Sequence, residues 1–140
     1  MIRLPSYVAL ALMLVAPCAL AADLSVTVVG VKNAEGDVRV MLFDRPEGFR
    51  HEDKARTVLA TPAKAGDVRV TFTTLPVGTY GVIAYHDENA NHVLDKFMGM
   101  IPTEGFALSN DPEVVGPPSF DSAAITLGEA GSSITIHLKY

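Results

Sequence analysis

The sequence has one cysteine, Cys18, and no tryptophan. A single thiol excludes an internal disulfide and any zinc or iron–sulfur site built from several thiolates. Basic residues are few and scattered: 11 Lys and Arg stand against 16 Asp and Glu, for a net charge of -5. That balance lacks the electrostatic footprint of a nucleic-acid binder or of a protein drawn to an anionic membrane surface, so neither is an expected partner. Complete catalytic constellations are missing too. Ser109 and Ser119 stand in no Gly-x-Ser-x-Gly elbow, and His51-Glu52-Asp53 lacks the second His of a zincin helix. An enzyme is not the expected class, and an envelope hydrolase ranks behind the binding and structural readings below. No segment carries the 3.6 period of an amphipathic helix.

Long uncharged runs are confined to the start of the chain. Arg3 precedes an apolar run through Tyr7 to Val15, followed by Pro17 and the small residues Ala19-Leu20-Ala21-Ala22. These are the three regions of a secretory signal, with the cut expected between Ala21 and Ala22. As a membrane anchor the stretch is short of the ~20 apolar residues a span needs, and Pro5 and Pro17 break it. Cys18 raises a lipoprotein reading, but Pro17 stands where a small Gly, Ala or Ser is expected. Residues 1–21 are therefore expected to be a signal and residues 22–140 one domain, exported to a periplasm or released outside. No membrane span is expected in the mature chain.

From Leu24 onward apolar residues recur every second position, the signature of strands with a buried face. Seven strands are expected: 24–31, 37–43, 56–60, 67–73, 80–86, 123–127 and 133–138. Val38, Val40 and Leu42 share one face of the second. The fifth is apolar on both faces, with Tyr80, Val82 and Ala84 against Ile83 and Tyr85, as in a central strand. The first two strands and the last two are expected to form hairpins across Asn33-Ala34-Glu35-Gly36 and Gly128-Glu129-Ala130-Gly131. The string Gly36-Asp37-Val38-Arg39-Val40 recurs at Gly66-Asp67-Val68-Arg69-Val70, two copies of one turn-to-strand solution rather than a repeat array. Strands at hairpin spacing without helices imply an all-β, antiparallel β-sandwich of the Ig-like kind. The turn Leu75-Pro76-x-Gly78-x-Tyr80 resembles one found in prealbumin-like sandwiches, and that resemblance implies a prealbumin-like form of the sandwich. A loop excursion near 87–120, rich in Asn, Asp, Gly and Pro, is long enough to be functional.

The excursion opens on Asp87-Glu88-Asn89-Ala90-Asn91-His92-Val93-Leu94-Asp95. Asp87, Asn89, Asn91 and Asp95 place side-chain oxygens at loop positions 1, 3, 5 and 9, with the carbonyl of Val93 at 7, a spacing suited to calcium. The EF-hand is excluded, because His92 replaces its Gly and Met98 its bidentate Glu. Glu104 or Asp111 are the more distant candidates to complete a shell. The competing reading is that these Asp and Asn residues bond their own backbone in Asx turns and only shape the loop. A copper set of His86, His92, Met98 and Met100 is a weaker rival without fixed spacing.

Two strings carry a resemblance: His86-Asp87-Glu88-Asn89-x-Asn91-x-x-Leu94-Asp95, and Gly99-x-Ile101-Pro102-x-Glu104-Gly105-Phe106-x-Leu108-Ser109-Asn110 with Gly116-Pro117-Pro118-Ser119-Phe120-x-x-Ala123. They resemble the exported bacterial family of domain of unknown function 2141, which implies a prealbumin-type sandwich behind a signal peptide and no assigned activity. His92 stands where that family more often has Gly, and Leu108 where Phe is common. Ile101, Phe106 and Phe120 are expected to anchor the excursion to the core. The expected function is an exported binding module for an envelope protein, glycan or small molecule, with a structural calcium ion in the Asp87–Asp95 loop. The alternative is a purely structural or adhesive envelope module without metal.

Overall fold

The computed structural model describes residues 18–113 and 115–140; most of the expected export segment, residues 1–17, lies outside them. Two sheets face each other. One is three-stranded, with β1 (Ala21–Val31) between β10 (Ser132–His137) and β4 (Gly66–Pro76). The other orders β3 (Thr57–Pro62), β2 (Asp37–Phe43), β5 (Gly78–Asp87) and β8 (Phe106–Leu108), while β9 (Ala124–Leu127) pairs with the start of β5. The seven expected strands are all present. Three short ones, β6 (Lys96–Phe97), β7 (Ile101–Pro102) and β8, lie inside the 87–120 excursion, and the single-turn helix α1 (Phe120–Ala123) starts at its end.

Period-two alternation makes the core. Leu24, Val26 and Val28 from β1, Val38, Val40 and Leu42 from β2, and Tyr80, Val82 and Ala84 from β5 meet Val70 and Phe72 of β4 between the sheets. Burying each large aliphatic side chain contributes about 1.5–3 kcal/mol. Ile83 and Tyr85 of β5 face outward, yet they are buried with Met41, Phe43, Phe49, Leu108 and Phe120 in a second cluster. That layer exists because two connections fold over the outer face of the larger sheet. Phe49 arrives from the β2–β3 loop and Phe120 from α1, their rings edge-on at 5.6 Å. Hence β5 is central, as its two apolar faces imply.

The connectivity departs from the expected hairpins. β1 and β2 do not pair: β1 takes β4 and β10 as neighbours, and β2 takes β3 and β5. The turn at 32–36 carries the chain across the sandwich instead of back along the same sheet. Similarly β9 and β10 lie in different sheets, and β10 runs parallel to β1 from Leu24↔Ser132 to Val29↔His137. A turn sequence fixes that the chain reverses, whereas the choice of sheet follows from which strand covers which apolar face. Ile101 is a second correction. It is 62% exposed and anchors nothing, while Phe120 is buried and Phe106 half-buried against the second cluster.

Candidate functional site

β5 delivers Asp87 to one end of the larger sheet, where it pairs with Asp37 of β2. Its side chain is fully buried. A buried carboxylate is costly unless hydrogen-bonded, and here Oδ1 accepts the backbone N–H of Asn91 at 3.1 Å and Oδ2 that of His92 at 2.8 Å. The chain curls tightly enough to allow this because Ala90 and His92 adopt left-handed φ of 55° and 63°. His92 thus takes the conformation that Gly would supply, at a cost of roughly 1–2 kcal/mol. Gly36 closes the same end from the other side, with φ 64° and an α-carbon so near that a methyl group there would lie 1.8 Å from the Asp87 carbonyl oxygen.

The remaining oxygen-bearing side chains converge on Asp95. The Asn89 amide donates to Asp95 Oδ2 at 2.7 Å, and the Asn91 amide donates to both Asp95 oxygens at 3.0 and 3.1 Å. Asn89 and Asn91 also form the Asx turns that the competing reading expects, accepting the N–H groups of Asn91 and Val93 at 3.1 and 2.9 Å. Of the two distant candidates, Glu104 joins the loop. It is buried, and its carboxylate accepts the N–H of Glu88 at 3.0 Å and of Asp95 at 3.1 Å, so it clasps both ends of the nonapeptide. Burial pushes its pKa up, the two backbone bonds oppose that, and the charges of Asp95 and Asp87 add to the rise. Asp111 does not join; it is bonded to His137.

The copper set does not assemble around His86. Its ring is fully buried, with Nε2 2.7 Å from the Glu35 carbonyl oxygen and Nδ1 2.9 Å from the Tyr140 hydroxyl. Because a carbonyl only accepts, Nε2 carries the proton and Nδ1 accepts from Tyr140, which leaves neither nitrogen for a metal. Met98 and Met100 point into solvent, 77% and 76% exposed. Among the described residues, no group of three or more His, Cys, Asp or Glu side chains is arranged to hold a metal. The converging set in this loop is half amide.

Two features of the site were not read from the sequence. The first is a hairpin tip: β6 and β7 pair in the loop with Phe97, Met98, Met100 and Ile101 exposed. Four apolar residues around one Gly, within a polar excursion, were the available signal. The second is a polar network on the outer face of β2 and β5. Glu52, on a single 3-10 turn (Glu52–Lys54), accepts from Arg39 and, at 2.9 Å, from the Tyr85 hydroxyl.

Comparison with known proteins adds the family. Residues 26–135 match the model of domain of unknown function 2141, described as an uncharacterized protein conserved in bacteria. No curated protein and no solved structure matches the chain.

Proposed function

The chain belongs to the bacterial family of domain of unknown function 2141, and from that premise we propose that it is an exported binding module whose Asp87–Asp95 loop holds a calcium ion and sets the 96–102 hairpin. One observation carries the reading: the polar ends of Asn89 and Asn91 meet on the Asp95 carboxylate beside Asp87 and Glu104. A half-turn of each amide exchanges its N–H donors for its oxygen, at the cost of the Asx-turn bonds that the oxygens now accept from Asn91 and Val93. The same side chains then offer oxygens to a hard cation resting on Asp95, with the carbonyl of Val93, at the seventh position of the loop, as a further oxygen. Neutralising three neighbouring acids is what a divalent ion would contribute. The fixed hairpin presents Phe97, Met98, Met100 and Ile101 as the contact surface for a partner, since exposed apolar clusters of this kind mark interaction sites.

Export is part of the proposal. Strand β1 begins at Ala21, and Ala22 is buried and paired with Leu75, so a cut between Ala21 and Ala22 keeps the core intact. The mass of the protein recovered from the cell envelope or medium should place Ala22 first. An unprocessed chain in the cytoplasm would refute this part.

The second reading is a rigid structural module, and the two backbone bonds to Asp87 favour it, because they satisfy the loop without any ion. Thermal unfolding in chelator and then in millimolar calcium decides between them. A ligand that binds only the folded state at a hundred times its Kd stabilises by about 2.7 kcal/mol, a rise in Tm of roughly 5–15 °C. Calcium-specific stabilisation that Asp95→Asn abolishes supports the ion. A Tm that neither calcium nor magnesium moves supports the structural module.

A further inference from the structure

The seam between the two sheets holds a second candidate site, away from the Asp87 loop. β8 and the segment after β10 are joined by one antiparallel bridge, Phe106 N–H to Lys139 O at 3.0 Å and Lys139 N–H to Phe106 O at 2.9 Å. Alternation along this extended segment puts His137 and Lys139 on one side and sends Leu138 to the core. Beside the bridge lies a recess of about 130 Å³, with Phe106, Ala107, Leu108 and Pro112 as its apolar wall and Asp111, His137 and Lys139 as its charged groups.

Asp111 is held there by a turn. Its N–H donates to the Leu108 carbonyl at 3.1 Å, Asn110 and Asp111 have φ of 67° and 41°, and the Asn110 amide is tied to the Ala124 carbonyl at 2.8 Å. Both carboxylate oxygens serve one residue: Oδ1 takes the backbone N–H of His137 at 3.0 Å, and Oδ2 takes Nδ1 at 2.6 Å. A carboxylate accepts, so Nδ1 carries the hydrogen and the ring is fixed, while Nε2 has no protein partner among the described residues. Surface ion pairs are commonplace and contribute little. This one differs in orienting a ring at a recess that a second cationic side chain, Lys139, also lines.

We propose that the recess binds a small organic carboxylate. A recess of this size admits a short acid with its carbon body on Phe106, Leu108 and Pro112. The carboxylate lies against Lys139 Nζ and His137 Nε2. In its imidazolium form the ring donates Nε2–H to that anion while Nδ1–H stays on Asp111. Asp111 is the positioning residue. The same chemistry is offered by a free short-chain acid and by the carboxylate end of a peptide.

Propionate is the first probe, with propylammonium and 1-propanol as controls of equal size. Side-chain ¹⁵N spectra of His137 should shift saturably with propionate and with neither control. Lys139→Met and His137→Ala should each weaken binding about tenfold, the scale of a lost charge-assisted contact. Asp111→Asn should move the ring proton, visible in the same spectra, and weaken propionate binding. A tripeptide with a free C-terminus binding as propionate does, when its amide does not, would identify the peptide source. The proposal is overturned if propionate fails to saturate, if chloride at equal ionic strength reproduces its effect, or if Lys139→Met binds it unchanged.

Discussion

The hydroxyl of Tyr140 lies 2.9 Å from Nδ1 of the fully buried His86, and the same oxygen accepts the backbone N–H of Lys32 at 3.0 Å. Burial raises the Tyr140 pKa, with the Lys32 bond opposing and the Glu88 charge adding, so the phenol remains a donor. Its ring packs on Gly105, where a methyl group would sit 2.5 Å from the ring's Cζ. Tyr140→Phe strands a buried imidazole acceptor and should cost about 1–3 kcal/mol in urea unfolding. Gly105→Ala displaces the ring and breaks the same bond. The two losses should therefore add to less than their sum in the double variant, and full additivity would show that they act separately.

Gly36 and Gly66 open identical five-residue strings, yet they should respond very differently to Ala. Both have positive φ, 64° and 102°. At Gly66 nothing lies within 4 Å of the added carbon, so only backbone strain is incurred, roughly 1–2 kcal/mol. At Gly36 the added carbon meets the Asp87 carbonyl oxygen at 1.8 Å and its carbon at 2.8 Å, both main-chain atoms of the central strand. Gly36→Ala should lose more than about 3 kcal/mol or fail to fold. Equal unfolding midpoints for the two variants would contradict the packing at this end.

That contrast also shows what the sequence discloses. Alternation at Val38, Val40 and Leu42, and two apolar faces at Tyr80 to Tyr85, give strand positions and the central strand, because burial acts residue by residue. Partners are a property of the whole arrangement. Asn33 to Gly36 supplies the same turn chemistry whether the next strand pairs or crosses over, so it does not distinguish a β1–β2 hairpin from the crossover observed. Site residues divide in the same way. Asp87, Asn89, Asn91 and Asp95 are legible because one local loop gathers them. Glu104 returns to them only through the β6–β7 hairpin, and Asp111 finds His137 only because β8 and β10 meet at the seam.

Glu52 supports an acid-dependent part of the stability. Burial opposes its ionisation, but hydrogen bonds from Arg39 and Tyr85 and the Arg39 charge outweigh that and hold its pKa below the usual carboxylate range. A depressed folded pKa contributes stability that is complete above the unfolded pKa and is lost as pH falls through the folded one. Glu52→Gln should remove that loss from the acid limb of the stability profile. It should also cost about 1–3 kcal/mol near neutral pH, since Arg39 and Tyr85 lose a charged acceptor. A profile parallel to that of the parent protein would mean that Glu52 is not part of the acid response.

Glu104 should show the opposite sign. Its folded pKa is raised, with burial the main cause and the neighbouring Asp95 and Asp87 charges adding to it. The native state then holds a proton that the unfolded chain has released, so its contribution falls as pH rises from the unfolded to the folded pKa. Under the calcium proposal, a bound ion favours the ionised carboxylate and competes with that proton. Its stabilising effect should accordingly grow with pH across the same window. Glu104→Gln keeps one oxygen for either Glu88 or Asp95 but loses the charge; it should flatten the slope in chelator and reduce the calcium-induced rise in Tm. Thermal unfolding at several pH values, in chelator and in calcium, reads both effects. Should the variant keep the parent slope and the full calcium gain, Glu104 would be a backbone clasp alone, and the ion, where bound, would rest on Asp87 and Asp95.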